Sequence, residues 1–146
     1  MRHAEVVEKR TIHVHHKTGD LFEISVRDHR LHVDQPVEDD GSDLGPTPVE
    51  LFVTSLATCV AVYARRYLAR HDLPEGVSVR AEFTMADHPA RVGEIDIAIR
   101  LPDGVPDDRR DRVLAMASHC TVHNTLEHPP EVNVVFDEES SPDRSP

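Results

Sequence analysis

The chain has 146 residues, long enough for one domain of ordinary size and too short to expect two. Its formal charge of -11 argues against nucleic acid or an anionic membrane surface as a partner, because both select a basic face. With 38% hydrophobic residues, 4% aromatics and no tryptophan, the core must rest on Val, Leu, Ile and Ala.

The N-terminus, MRHAEVVEKR, has no apolar signal-like run, and no apolar stretch is expected to span a membrane. A cytoplasmic protein is the default expectation. There, a disulfide is more often catalytic or transient than structural. Residues 5–16 carry β-branched side chains with partial alternation and predict a strand. Gly19-Asp20 is a turn signal, LFEISV (21–26) alternates again, and Asp28-His29 turns the chain into a strand over 30–34. These three form a β-meander. His13 and His15 are two apart and share one face, which strand alternation alone explains.

Residues 35–46 hold Pro, Gly and acids without periodicity and predict a long, functional loop. The helix that follows is strongly marked: Thr47 suits the N-cap, Pro48 the first turn and Glu50 the third position, a capping box. It should run to about Arg70, with Pro74 and Gly76 beyond its end. Strands are expected over 77–85 and 93–101, separated by the turn Asp87-His88-Pro89. A second helix should start after Val105-Pro106, with Asp107 and Asp108 at its positive end. A short third helix should begin near Cys120 and stop before Pro129-Pro130. EVNVVF (131–136) predicts a last strand, and 137–146 a polar disordered tail after a single domain of residues 1–136. Strands in hairpin groups with helices between them make an α+β fold. The helix carrying Cys59 is apolar or small on most sides, so a second subunit is expected to cover what one sheet cannot.

Cys59 and Cys120 are the only thiols. Placed in two distinct local contexts, they are open to two readings. One is a reactive thiol with a resolving partner, since only a second sulfur closes a reversible disulfide over an oxidised first one. The other is a pair of small buried hydrophobes, the usual state of free cysteine. At a helix start, Cys120 would be favoured as a thiolate. His119 and His123 flank it, but a zinc site needs a fourth ligand and a known spacing, and neither is evident. No metal or other cofactor is expected. Glu50 is open to a catalytic or a purely capping role. Nine residues from Cys59, it lies about 180° round and roughly 13 Å along a straight helix, so it cannot touch that sulfur directly.

Two segments, GPTPVELFVTSLATC (45–59) and ASHCTVHNTL (117–126), resemble the OsmC/Ohr family of osmotically inducible and organic hydroperoxide resistance proteins. LHVDQP, the acidic Gly-containing loop and GPTP look like the OsmC-like branch rather than Ohr itself. The resemblance covers about residues 4–136. It implies an intertwined α+β homodimer with active sites at the subunit interface, and thiol-dependent reduction of organic hydroperoxides. By resemblance, Cys59 matches the peroxidatic cysteine and Cys120 the resolving one. A dithiol, such as a protein-bound lipoyl group, is the implied reductant. The family's supporting arginine falls near Lys17 and Thr18, and its helix glutamate falls at Val49. Arg27, Arg30 and Lys17 are the cations left to support the thiol. Arg30 is preferred, because it opens the strand leading toward the Cys59 helix and its fork suits Glu50. The alternative function is a non-catalytic OsmC-like dimer that binds a small apolar ligand or partner in the interface pocket.

Overall fold

A computed structural model describes residues 8–138. Expectations for residues 1–7 and 139–146, including most of the polar tail, lie outside the described residues. The architecture is α+β, as the grouping of strands predicts.

The N-terminal meander consists of β1 (His13–Thr18), β2 (Leu21–Val26) and β3 (His29–Val33), in the order β1-β2-β3 and antiparallel throughout. The first turn is built on Gly19 at φ +54, a left-handed conformation that glycine adopts without steric cost. The second turn falls one residue earlier than expected, with Arg27 at φ 51. The register sets Val14 opposite Ile24, and Ile24 opposite Leu31, on one face. Glu23 lies between His15 and His32 on the other face. Much of the apolar row is open: Val14 and Leu31 are exposed within the chain.

Asp34, immediately after β3, organises the loop that follows. It is only 2% exposed, and its carboxylate accepts the backbone N–H of Gln35 at 2.7 Å and of Leu44 at 3.1 Å. Gly41 and Gly45 sit where the loop folds back, against the carbonyls of Gln35 and His32. A Cβ at either would collide with backbone. The Asp34 N–H donates to Pro46 O at 3.2 Å, which joins the end of β3 to the start of the next helix.

That helix, α1 (Pro48–Arg70), starts as its sequence dictates. Thr47 Oγ1 accepts from the Glu50 N–H at 3.1 Å, and Glu50 Oε1 accepts from the Thr47 N–H at 2.9 Å. Its 23 residues include an 18-residue window of mean hydropathy 1.2, long and apolar enough to cross a membrane, which corrects the expectation that no stretch comes near that length. The helix instead packs on β4 (Ser78–Ala86), β5 (Arg91–Arg100), α2 (Asp107–Ala117) and α3 (Thr121–Glu127), which makes it the core helix of the domain. Leu56, Val60, Ala64, Tyr67 and Leu68 of α1 close over Val113 and Ala117 of α2, and Ile95, Ile97 and Ile99 of β5 pack against them. Side chains buried as fully as Leu68 and Val113 contribute about 1.5–3 kcal/mol each.

The strand expected over 131–136 does not form. Both sheets, β1-β2-β3 and β4-β5, exclude it, and Val134 and Phe136 are 91% and 92% exposed. Alternation supplies a face but not a partner, and a strand exists only when an edge accepts its backbone groups.

Candidate functional site

The site forms where α3 begins against the middle of α1. Ser118 and His119 end α2, and Cys120 becomes the N-cap of α3 in extended conformation, φ -68 and ψ 158. Its Sγ accepts the His123 N–H at 3.4 Å, taking the place usually held by a Ser, Thr, Asp or Asn oxygen. This position aims the sulfur back at α1. There it is fully buried in the core cluster, with Cys59 partly buried and packed against that cluster.

The two cysteines are free thiols that pack in the same cluster, near enough for Cys59 to affect the proton affinity of Cys120. Burial pushes the Cys120 thiol above its ordinary pKa. The His123 N–H pulls it back, and the neighbouring Cys59 raises it again. The balance is upward, which corrects the expectation that a helix start would make Cys120 a thiolate. The backbone amides of His123 and Val122 and a helix of seven residues do not offset the loss of water around the sulfur.

Two hydroxyls beside the pair escaped the sequence reading. Tyr63 lies one turn beyond Cys59 on the same face of α1, and Thr121 directly follows Cys120. Their oxygens meet at 2.7 Å. The signal was available only as adjacency: four residues from one cysteine and one residue from the other. The Arg66 guanidinium sits 5.8 Å from the Tyr63 ring centre. On α3, His123 Nε2 approaches Glu127 Oε1 at 3.4 Å. Among the described residues, no group of three His, Cys, Asp or Glu side chains is placed to hold a metal, so His119, Cys120 and His123 do not assemble into one.

Arg30 and Glu50 lie elsewhere. The Arg30 Nη1 donates to Glu23 Oε1 and to Ser25 Oγ, both at 2.9 Å. The carboxylate its fork meets within the chain is therefore Glu23, not Glu50. Burial opposes ionisation of Glu23, but Lys17, Arg30 and His32 around it outweigh that and hold its carboxyl below the usual range. Lys17 Nζ is 3.8 Å from the same carboxylate, and Arg27 occupies the turn between β2 and β3. Glu50 is engaged in its capping box, and it also lines an open cavity of about 460 Å³ between α1 and β4, with Val53, Ala57, Val79 and Phe83. None of the hydrogen bonds or ion pairs of Arg30 or Glu50 reaches a cysteine.

The paired thiols, the helix that presents one of them and the short helix capped by the other lie in a region with clear relatives. Residues 40–135 match the family model described as OsmC-like protein, and the chain belongs to that family. No curated protein sequence matches it. Among solved structures, it is similar to a Psychrobacter arcticus 273-4 protein provisionally named for an osmotic stress induced and detoxification response. The TM-score is 0.75 and the identity 22%, over 84% of this chain and 91% of that one. It is also similar to an organic hydroperoxide resistance protein OsmC of Legionella pneumophila, with TM-score 0.60 and 18% identity over 84% and 91%. The organic hydroperoxide resistance protein OhrB of Bacillus subtilis aligns with TM-score 0.61 and 11% identity over 85% and 94%. At these identities the likeness is one of fold.

Proposed function

We propose that the protein is a thiol peroxidase for organic hydroperoxides, with Cys59 as the attacking sulfur and Cys120 as the resolving one. The observation that carries this reading is the asymmetry of the thiol pair. Cys59 is partly buried, while Cys120 is fully buried in the same cluster and holds its proton above the ordinary thiol pKa. The Cys59 thiolate attacks the terminal peroxide oxygen and the O–O bond breaks. The products are a sulfenic acid on Cys59 and an alkoxide that takes up a proton to become the alcohol. The Cys120 thiol then condenses with the sulfenic acid, forming the S–S bond and releasing water. An external dithiol, such as a protein-bound lipoyl group, returns two electrons and two protons to the disulfide. Cys120 attacks as a thiolate, so its proton must pass to the departing sulfenic oxygen, which leaves as water.

The same proposal includes a homodimer. Only 22% of the apolar window of α1 is buried within one chain, the Val14–Ile24–Leu31 face is open, and 131–136 is an apolar segment without an edge. A second copy would cover all three. In that assembly Arg30 and Glu50 would enter the active site only across the subunit contact. Sedimentation at low micromolar concentration should give twice the 16.4 kDa chain mass.

The deciding experiment is steady-state consumption of cumene hydroperoxide with a dithiol as reductant. Turnover that disappears in Cys59→Ser supports the enzyme. No consumption above that control sinks it. The 460 Å³ cavity, together with valine at position 49, favours a second reading: a dimer that holds a small apolar ligand without chemistry. Ligand binding that survives Cys59→Ser, without peroxide turnover, would support it instead.

A further inference from the structure

We infer that the Tyr63–Thr121 hydroxyl pair is a positioning device that sets how readily Cys59 and Cys120 join as a disulfide. The inference rests on the proposal that these two thiols are a redox pair. The helix α3 has seven residues, and its packing is chiefly on α1. Among the described residues, the Tyr63–Thr121 contact is the one side-chain hydrogen bond between the two helices. At 2.7 Å it has the most favoured hydroxyl–hydroxyl length. It lies one helical turn from Cys59 and one peptide unit from Cys120, so it fixes the cap of α3 at the point where the sulfurs must meet. Arg66 over the Tyr63 ring restrains that ring from the solvent side.

Disulfide geometry is narrow. The Cα atoms must come within roughly 4.4–6.8 Å, with a defined torsion about the S–S bond. A short helix free to tilt would sample that geometry less often. Holding its first residue to α1 raises the local concentration of one sulfur at the other without touching either reacting atom.

The test is the equilibrium of the full-length protein with glutathione. Oxidation transfers two electrons and two protons from Cys59 and Cys120 to one glutathione disulfide, giving two glutathione thiols. The midpoint ratio therefore reports the effective concentration of the pair. Tyr63→Phe and Thr121→Val each remove one hydroxyl while keeping the ring or the β-branch. Each should lower the effective concentration by about fivefold, the factor that corresponds to one ordinary hydrogen bond. The double variant should lower it no further, because both changes remove the same bond. Thr121→Ser, which keeps the hydroxyl, should restore the wild-type value. A wild-type equilibrium in both single variants, or losses that add in the double variant, would overturn the inference while leaving the redox pair intact. Absence of any Cys59–Cys120 linkage in the wild-type protein would overturn both.

Discussion

The Sγ of Cys120 accepts the backbone N–H of His123 at 3.4 Å, so a thiol rather than a hydroxyl or carboxylate caps α3. The cap and the proposed resolving group are one atom. Replacing it therefore perturbs folding and chemistry together, and the two effects separate by measurement. In urea, Cys120→Ala should cost about 1–2 kcal/mol, from the lost cap and the small cavity left in a fully buried position. On exposure to organic hydroperoxide, peptide mapping of the wild type should find a Cys59–Cys120 linkage. The variant should carry sulfinic acid at Cys59. A linkage-free wild type with both cysteines separately oxidised would remove the resolving role.

Titration of Cys120 gives a second expectation. Its folded pKa is raised, by burial first and by Cys59 in addition. The native state therefore holds the proton more tightly than the unfolded chain does. That stability is fully present below the ordinary thiol pKa, and it is lost as pH rises through the folded value. The stability gap between wild type and Cys120→Ala should narrow as urea titrations move from neutral into the alkaline thiol range. A constant gap would mean that the buried sulfur ionises as freely as an exposed one.

Glu23 works in the opposite direction. Its folded carboxyl is lowered by Lys17, Arg30 and His32, against the effect of burial. Its contribution is present above the ordinary carboxylate pKa and is lost as pH falls through the folded one. Glu23→Gln should flatten that part of the acid limb of the stability curve. The same variant should free Arg30. The alkylation rate of Cys59 in a Cys120→Ser background then reports whether the released guanidinium reaches the thiol. An upward shift of the pH midpoint of that alkylation in Arg30→Ala, absent in Arg27→Ala, would place Arg30 at the site.

Glu50 can be separated from its cap. The structure uses Oε1 as an acceptor for the Thr47 N–H, and a Gln amide oxygen can take that place. Thermal unfolding should show Thr47→Ala costing about 1 kcal/mol and Glu50→Gln staying within about 0.5 kcal/mol of wild type. Against that background, any fall in hydroperoxide turnover in Glu50→Gln reports the charge rather than the fold.

Gly45 is required by proximity. Its missing Cβ would meet the His32 carbonyl. Gly45→Ala should destabilise the protein by about 1–3 kcal/mol through forced backbone movement, read as a lowered denaturant midpoint. Because the Asp34–Pro46 bond crosses the same point, the variant should also speed exchange of the Asp34 amide. Wild-type protection there would show that the loop relaxes at no cost.

The features legible in the chain alone are local. The capping box of Thr47 and Glu50 needs only residues three apart, and it placed the start of α1 to the residue. The turn at Gly19, the alternation of LFEISV and the prolines after α3 act over one or two turns of chain, and they were equally legible. The OsmC-like motifs around the two cysteines are runs of neighbours too, and they pointed to the fold that the family match establishes. The tertiary structure decided everything that depends on which distant surfaces meet. It set Cys120 against Cys59 and Tyr63 against Thr121, across about sixty residues of chain. It gave Arg30 to Glu23 by strand register rather than to Glu50, and it buried Asp34 beneath the backbone amides of a loop whose composition reads only as polar. It also left 131–136 without a partner, although the pattern there is as strand-like as any in the chain. Periodicity states which face a residue takes. Contact, desolvation and proton affinity depend on what is packed against that face, and only the folded chain specifies that.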